Sequence, residues 1–166
     1  TLAACVKRIP VVLIDSHSHR QFFSESAYRR RFVDWCAFHV EQGFLDAYRC
    51  YQKALRMRNA ALKQKSGWRA WDSLMAESGS FMVQARNRVV CSLNTSLDSP
   101  LSYQRSLHAD SYHESLASRS QVDVQSGVTT KGVHRDDFVY CDQGRVLSQG
   151  QQKVAYCKLV AAAAAA

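Results

Sequence analysis

A short polar segment near the end of the chain has the composition of a phosphate-binding helix start. It runs Leu147-Ser148-Gln149-Gly150-Gln151-Gln152-Lys153. A serine and a nearby glycine at a helix N-terminus present a hydroxyl group, exposed backbone N–H groups and the positive end of the helix dipole, all of which favour a phosphate. The same residue types also suffice for an ordinary capped helix, so the chemistry leaves both interpretations open.

Basic residues are concentrated in one stretch of the sequence. Between residues 29 and 69 there are ten basic and three acidic residues, a local net charge of +7. Exposed cations that displace condensed counterions bind nucleic-acid phosphates. We therefore expect DNA contact from Arg29, Arg30, Arg31, Lys53, Arg56, Arg58, Lys63 and Lys65. A solvated basic helix face is the alternative interpretation.

The segment Asp15-Ser16-His17-Ser18-His19 follows an apolar run at residues 11–14. A His-x-His pair after a strand presents two imidazoles to a metal in some barrel hydrolases. Such a site needs further ligands from later strands of an eight-stranded barrel, which a chain of 166 residues with a long helical insertion cannot build. A polar loop is therefore the preferred interpretation, and a metal hydrolase built on His17 and His19 is a minor alternative.

The same apolar run and Asp15 imitate the strand and magnesium-binding aspartate of a P-loop ATPase. Ser16, however, stands where the catalytic glutamate would follow. Neither GxxxxGKS nor GxxxxGKT occurs in the chain, so the lysine and backbone amides that hold phosphates in that motif are absent. The chain by itself is expected to form no complete nucleotide site.

Hydrophobic periodicity predicts a helical arm over residues 26–97. Two amphipathic helices are expected in its first part, with Ser24 or Ser26 capping the first and Gly43 separating the two. A third helical pattern begins near Trp68.

On both sides of this arm the pattern favours strands. The apolar run at residues 11–14 predicts a strand buried on both faces, which implies a layered α/β core. Weaker patterns predict strands at residues 101–104, 127–130 and 138–141, and helices at residues 112–118 and 147–160.

The composition is that of a folding protein with a basic surplus. Apolar residues at 46% and charged residues at 22% exclude wholesale disorder, and 166 residues predict one domain with or without an appendage. The net charge of +8 predicts an acidic polymer as partner. No apolar run approaches the roughly 18 to 20 residues that cross a bilayer, so we expect a cytoplasmic protein without membrane contact. Six scattered cysteines without a CxxC pair predict reduced, mostly buried thiols.

Six motifs occur in order along the chain. They are YRRRFVDW at residues 28–35, FH at 38–39, LRMRNAALK at 55–63, AWD at 70–72, GVHRDD at 132–137 and LSQGQQK at 147–153. The last matches the LSxGQ signature of ABC-type ATPases. In their order and spacing these motifs resemble the bacterial RecF family of DNA replication and repair proteins, and the resemblance covers most of residues 9–160.

This resemblance implies an α/β fold, namely a partial ABC-type ATPase head with an inserted helical arm. It places portions of the head at residues 1–25 and 98–160 and the arm at residues 26–97. Residues 161–166 are a poly-alanine tail of uncertain identity.

The resemblance also implies a function. Members of the family bind DNA at gaps and junctions, dimerise around ATP, and work with RecR and RecO to help load RecA in recombinational repair and the SOS response. ATP and Mg²⁺ are the cofactors implied for the intact protein, a weak ATPase, and none is expected in this chain alone. The resemblance implies no catalytic residue and no metal ligand in this chain. The signature residues would complete the nucleotide site of a second subunit, and these residues are Ser148, Gln149, Gly150, Gln151 and Lys153.

The sequence departs from the family pattern at several points. A Walker A lobe before this segment and a Walker B strand after the signature helix are missing. Ser24-Glu25-Ser26 stands where Gly-Gly-Pro is common, and Val133 replaces the usual proline. We therefore expect the chain to be the interior of a larger ATPase. The alternative is a non-enzymatic basic helical module that binds DNA or a partner protein.

Overall fold

The computed structural model describes residues 11–12, 15, 17–107, 112–141 and 146–165. The α-helices in this part of the chain are α1 Ser18–Ser24, α2 Ser26–Val40, α3 Phe44–Lys63, α4 Asp72–Asn94, α5 Tyr112–Ser118, α6 Ser120–Ser126 and α7 Gln149–Ala165. The strands are β1 Leu101–Gln104 and β2 Asp137–Tyr140, and short 3₁₀ turns lie at Trp68–Trp71 and Val133–Arg135. None of the helices in these ranges is both long and apolar enough to cross a membrane.

The helices of the predicted arm are confirmed, but the predicted caps of its first helix are wrong. Glu25, in an extended conformation, precedes α2. The Ser24 hydroxyl instead donates to the Arg20 carbonyl at 2.8 Å, because Ser24 ends α1, a helix that the sequence pattern did not reveal. Gly43 separates α2 from α3 as expected, with a left-handed φ of 84° that a residue with a Cβ rarely adopts.

The two strands pair antiparallel, with Leu101 opposite Tyr140 and Gln104 opposite Asp137. This confirms the strand predicted at residues 101–104 and, within one residue, the strand predicted at 138–141. The strand predicted at residues 127–130 is wrong. Gly127 ends α6 with a φ of 67°, and the Thr129 amide donates to the Asn59 side chain at 2.7 Å instead of to a neighbouring strand.

The buried strand predicted at residues 11–14 is not found at its described positions. Val11 and Val12 lie outside any strand, and Val11 is 69% exposed. Leu13 and Ile14 lie outside the described residues. Among the described residues the sheet therefore consists of β1 and β2 alone.

The expectation of mostly buried thiols is also wrong. Cys36 is buried, and burial raises the pKa of its thiol to about 12. Four other thiols are exposed, and Cys5 lies outside the described residues. The exposed ones are Cys50, Cys91, Cys141 and Cys157.

Packing divides the chain into two compact units. Unit 1 comprises Thr1–Gln42, Arg86–Gln104 and Asp137–Ala166, and unit 2 comprises Gly43–Ala85 and Arg105–Asp136. These bounds differ from the predicted division at residues 26 and 97, because α2 packs on β2 and α1 within unit 1. The assignment of head and arm stays a prediction.

Unit 1 is built on an aromatic cluster and one buried ion pair. The rings of Phe22, Phe32 and Tyr156 pack with centroids 5.6 to 6.3 Å apart. Arg86, 2% exposed, donates to both carboxylate oxygens of Asp34 at 2.8 and 3.0 Å. Its guanidinium also lies 5.7 Å from the centroid of the Phe138 ring, a cation–π distance.

Unit 2 contains a fully buried arginine that binds two carboxylates. The Arg58 side chain has no exposed surface, and its Nε donates to Asp72 while its Nη1 donates to Asp123, each at 2.7 Å. Nη1 also donates to the Thr129 hydroxyl at 2.8 Å. These bonds join α3, α4, α6 and the segment after α6, so the cluster connects most of unit 2. We call Arg58, Asp72, Asp123 and Thr129 the Arg58 cluster.

Replacing Arg58 by methionine is expected to lower the free energy of unfolding by about 3 to 5 kcal/mol, because Asp72 and Asp123 would remain buried without a cation. Urea unfolding of the intact protein measures this loss. Arg56→Met, two residues away on an exposed face of α3, is the matched control and should change stability by less than about 0.5 kcal/mol. Equal effects of the two substitutions would contradict the role of the cluster.

Candidate nucleotide and nucleic-acid interfaces

The start of α7 is closed by a reciprocal cap. The Ser148 amide donates to the Gln151 side-chain oxygen at 2.9 Å, and the Gln151 amide donates to the Ser148 hydroxyl at 3.4 Å. This is the capping-box arrangement, with serine at the cap and glutamine three residues on. The predicted helix over residues 147–160 is thereby confirmed, with its first helical residue at Gln149.

The capped end of α7 is open to solvent. Gln149 and Gly150 are exposed, and their amides meet no acceptor within the described residues. A Cβ built on Gly150 would contact nothing within 4 Å. The first turn contains no acidic side chain, so the positive end of the helix dipole is not neutralised there. This end of α7 has the room and the donors that a phosphate group needs.

A cavity of about 410 Å³ lies beside this helix start. It is lined by Asp98, Ser99, Tyr140, Leu147, Gly150, Gln151, Val154, Ala155 and Lys158. Lys158 forms an ion pair with Asp98, and the hydrogen bond that it donates to this carboxylate raises the pKa of the lysine. Lys158 is thus already paired. Lys153 is exposed and has no ion-pair partner within the described ranges, which leaves it available to an anion.

In the candidate metal segment, Asp15 bonds to the start of α1, and Ser16 lies outside the described residues. The Asp15 carboxylate accepts the Ser18 hydroxyl at 2.8 Å, the His17 amide at 2.8 Å and the Ser18 amide at 2.6 Å. The bond from the Ser18 side chain contributes most to lowering the pKa of Asp15. His17 is exposed whereas His19 is buried. In the part of the chain that the structure describes, no group of three or more His, Cys, Asp or Glu side chains is placed to hold a metal ion.

Two of the predicted DNA-binding arginines are unavailable for phosphate contact. Arg58 belongs to the buried Arg58 cluster. Arg29 donates from Nε and Nη2 to the two Asp137 carboxylate oxygens at 2.8 and 2.9 Å, and from Nη1 to the Phe22 carbonyl at 2.8 Å. Burial alone would raise the pKa of Asp137, but the bonds from Arg29 outweigh it and the pKa is lowered. Both arginines are structural, so their inclusion in the DNA-binding set is corrected.

The other predicted cations differ in exposure. Arg31, Lys53, Arg56, Lys63 and Lys65 are exposed, whereas Arg30 is half-buried. Along α3, residues 49, 53, 56 and 63 follow helical spacing and share one face, over about 21 Å at 1.5 Å per residue. Arg49, which the sequence set omitted, is exposed on this face, 3.9 Å from the Asp46 carboxylate. We call Arg49, Lys53, Arg56 and Lys63 the α3 stripe.

Comparison with known proteins identifies the relatives of this chain. No family model matches it. RecF DNA replication and repair proteins match over 92% of the chain, with 34% identity for Thioalkalivibrio sulfidiphilus and 36% for Xanthomonas euvesicatoria. The resemblance to RecF is confirmed. The chain spans about half the length of these curated relatives, 48% and 47% respectively.

The RecF-like fold is shared with solved structures. The structure described as the recombination mediator protein RecF-ATP in the RecFOR pathway superposes with a TM-score of 0.80. The superposition covers 92% of this chain and 49% of the RecF-ATP chain, at 21% sequence identity. The related RecF-ATPrS structure gives a TM-score of 0.78. The RecF-like fold predicted from the resemblance is thereby confirmed.

For this RecF-like chain, Ser148→Ala should lower the free energy of unfolding by about 1 kcal/mol, because the amide of Gln151 loses its acceptor. Gln151→Ala should also lower stability, because its side chain accepts the Ser148 amide, and the double substitution should lower it further. Thermal unfolding measures all three. Gln149→Ala, an exposed neighbour without a cap bond, is the control. A loss for Ser148→Ala no larger than that for Gln149→Ala would show that the cap is not formed.

Proposed function

We propose that this chain is the part of a RecF-type DNA replication and repair protein that contributes the signature helix to an ATP site shared between two subunits. The observation that carries the proposal is the open, serine-capped start of α7 at the positions of the LSxGQ signature. The Ser148 hydroxyl, the Gln149 and Gly150 amides and the Lys153 ammonium group face the γ-phosphate held by the partner. ATP with Mg²⁺ supplies the phosphate charge that brings the two subunits together.

The chain provides only one half of that site. It contains neither GxxxxGKS nor GxxxxGKT, and a signature segment by itself lacks the lysine and the loop that enclose the phosphates. The half that holds the nucleotide therefore comes from another part of the protein. Dimerisation depends on ATP because each subunit completes the site of the other.

DNA is the second proposed partner. The exposed α3 stripe in unit 2 supports contact with phosphates, and Lys65 and Arg31 are further exposed cations of the predicted set. The RecFOR pathway of the matched structure supports a partnership with RecR- and RecO-type mediators. The function proposed for the whole protein is weak ATP hydrolysis coupled to binding at DNA gaps and junctions, where it helps to load RecA in the cytoplasm and in the SOS response.

A non-enzymatic basic module is the second candidate. It is favoured by the same exposed α3 stripe. It treats the start of α7 as a helix cap and no more. ATP-dependent assembly separates the two candidates.

Ser148→Asp separates phosphate recognition from helix capping. Aspartate caps a helix as well as serine does and interacts favourably with the dipole, so folding and stability should be retained. A negative charge at this position repels a γ-phosphate, so ATP-induced dimerisation of the intact protein should be lost while ATP binding within each subunit is kept. Sedimentation with and without ATP measures assembly.

Two further variants complete this experiment. Ser148→Arg should also block assembly, because its side chain fills the space in front of the helix. Ser148→Ala weakens the cap and removes one donor to the phosphate but leaves that space free, so ATP-induced assembly should be weakened rather than abolished. If the Ser148→Asp protein dimerises normally with ATP, the start of α7 is only a cap and the signature assignment is wrong.

Charge reversal on the α3 stripe should weaken binding to every DNA substrate. Arg56→Glu combined with Lys63→Glu removes two phosphate contacts, and the slope of log K against log salt on duplex DNA should become shallower by about 2. Fluorescence anisotropy at several salt concentrations measures this slope. Asp46→Asn, on the same helix, removes a negative charge and should not weaken binding. Unchanged affinity of the double variant would place the DNA interface elsewhere.

A further inference from the structure

The loop between α6 and β2 runs antiparallel along α3. Three contacts define its course, and we call residues 127–136 the α3-bound loop. A Cβ on Gly127 would lie 3.8 Å from Cγ of Lys63, the Thr129 amide donates to Asn59 at 2.7 Å, and His134 contacts Tyr51 at 2.8 Å. As the loop advances from residue 127 to 134, its partners on α3 go back from 63 to 51. The loop therefore lies beside most of the length of α3.

The first half of this loop is held by side chains of unit 2. The Asp123 carboxylate accepts both the amide and the hydroxyl of Thr130, at 2.9 and 2.7 Å. The Thr129 hydroxyl donates to Asn59 at 2.8 Å and accepts a bond from Arg58, also at 2.8 Å. The backbone of these two residues is thereby fixed by the Arg58 cluster and its neighbours.

The second half of the loop is held by a directional chain of hydrogen bonds. The Val133 amide donates to the Tyr112 hydroxyl at 3.1 Å, and the hydroxyls of Tyr112 and Tyr51 are 3.3 Å apart. His134 Nε2 lies 3.1 Å from the Thr129 carbonyl, which can only accept. In the neutral ring Nε2 therefore carries the proton, and Nδ1 accepts the Tyr51 hydroxyl at 2.8 Å.

Gly132 permits this close approach. A Cβ at this position would lie 2.4 Å from the Tyr51 hydroxyl, and the φ of 142° lies in the region that favours glycine. The Gly132 amide and carbonyl both bond to the Ser106 hydroxyl, at 2.9 and 2.7 Å. The loop is thus seated against the helix at both of its ends.

Two side chains of the loop remain without a partner in the described part of the chain. Arg135 is exposed and Lys131 is half-buried, and neither forms an ion pair there. The aspartates of the loop region do not offset them, because Asp123 and Asp136 are 1% and 2% exposed and are hydrogen-bonded internally. A well-anchored loop of unit 2 therefore presents two cations in addition to the α3 stripe.

The surface charge of unit 2 also favours an anionic ligand. Among its described residues, eight basic residues are exposed against three acidic ones. The exposed acids are Asp46, Glu77 and Glu114. Burial of Asp72, Asp123 and Asp136 thus leaves a surface that is more basic than the composition of the unit. A fixed backbone also lowers the entropic cost of placing Lys131 and Arg135 against a ligand.

We propose that Lys131 and Arg135 are phosphate contacts of unit 2 in addition to the α3 stripe, and that they bind the backbone of duplex DNA. The inference rests on the proposed DNA binding and extends it to a loop that the sequence set omitted. Contacts of this kind position a protein on DNA without reading its sequence. An acidic protein segment is the competing ligand, and the experiment distinguishes it.

The experiment measures duplex binding by the intact protein carrying Lys131→Gln and Arg135→Gln. Losing two contacts should make the slope of log K against log salt shallower by about 2 and should lower affinity on the order of tenfold or more at 0.1 M salt. Random-sequence duplexes should be affected alike. Lys131→Arg with Arg135→Lys keeps both charges and should retain the wild-type slope.

A matched control and a folding check make the result decisive. Arg20→Gln removes an exposed charge from α1 in unit 1 and should leave the slope unchanged. Circular dichroism and thermal unfolding should be the same for all variants, since neither Lys131 nor Arg135 has a bonded side chain in the described structure. A lost slope in the charge-retaining variant would indicate a structural effect and overturn the inference.

The remaining outcomes separate this inference from the function on which it rests. If the wild-type protein binds duplex DNA with a steep salt dependence and the glutamine variant does the same, the loop is not a contact and only this inference fails. If the glutamine variant binds DNA normally but loses an acidic protein partner, the loop is a protein interface and the inference is likewise wrong. If the wild-type protein binds no DNA, the proposed DNA-binding function fails first.

Discussion

The buried guanidinium of Arg58 is the interaction on which unit 2 depends. It holds two carboxylates from different helices, and the second oxygen of Asp123 in turn fixes Thr130 of the α3-bound loop. Removing charged groups from water is costly, and the cost is offset only when the bonds are complete and well aligned. Asp123 meets this condition with bonds at both oxygens. The position of the loop against α3 follows from this cluster and from the tyrosine–histidine chain further along.

The same packing buries half of the described acidic residues of unit 2 and leaves most of its basic residues exposed. Asp72, Asp123 and Asp136 are buried in internal bonds, whereas most of the lysines and arginines remain outside. In unit 1, by contrast, two arginines form ion pairs. Arg29 pairs with Asp137 and joins α2 to β2, and Arg86 pairs with Asp34 and joins α4 to α2. Which basic residues of the sequence are exposed and unpaired is therefore decided by tertiary structure. At α7 the corresponding feature is local, since the cap, the free amides and the glycine all lie within four residues.

How much the sequence could predict follows from the range of each interaction. The long helices, Gly43 and the start of α7 depend on neighbouring residues, and these predictions were accurate. Arg58 was predicted to contact DNA, although it lies among the buried residues of α3 with Tyr51 and Leu62. Its partners were not predicted, since Asp72 and Asp123 are 14 and 65 residues away. For the same reason no local pattern could reveal that Arg29 binds a carboxylate 108 residues later.

The salt dependence of duplex DNA binding by the intact wild-type protein tests the basic surface of unit 2 most directly. The α3 stripe and the α3-bound loop together offer six cations, which are Arg49, Lys53, Arg56, Lys63, Lys131 and Arg135. At about −0.9 per phosphate contact, the account predicts a slope of log K against log salt of about −5 for each subunit. A slope between zero and −1 would contradict it, because a surface of this charge cannot then be in contact with the DNA backbone.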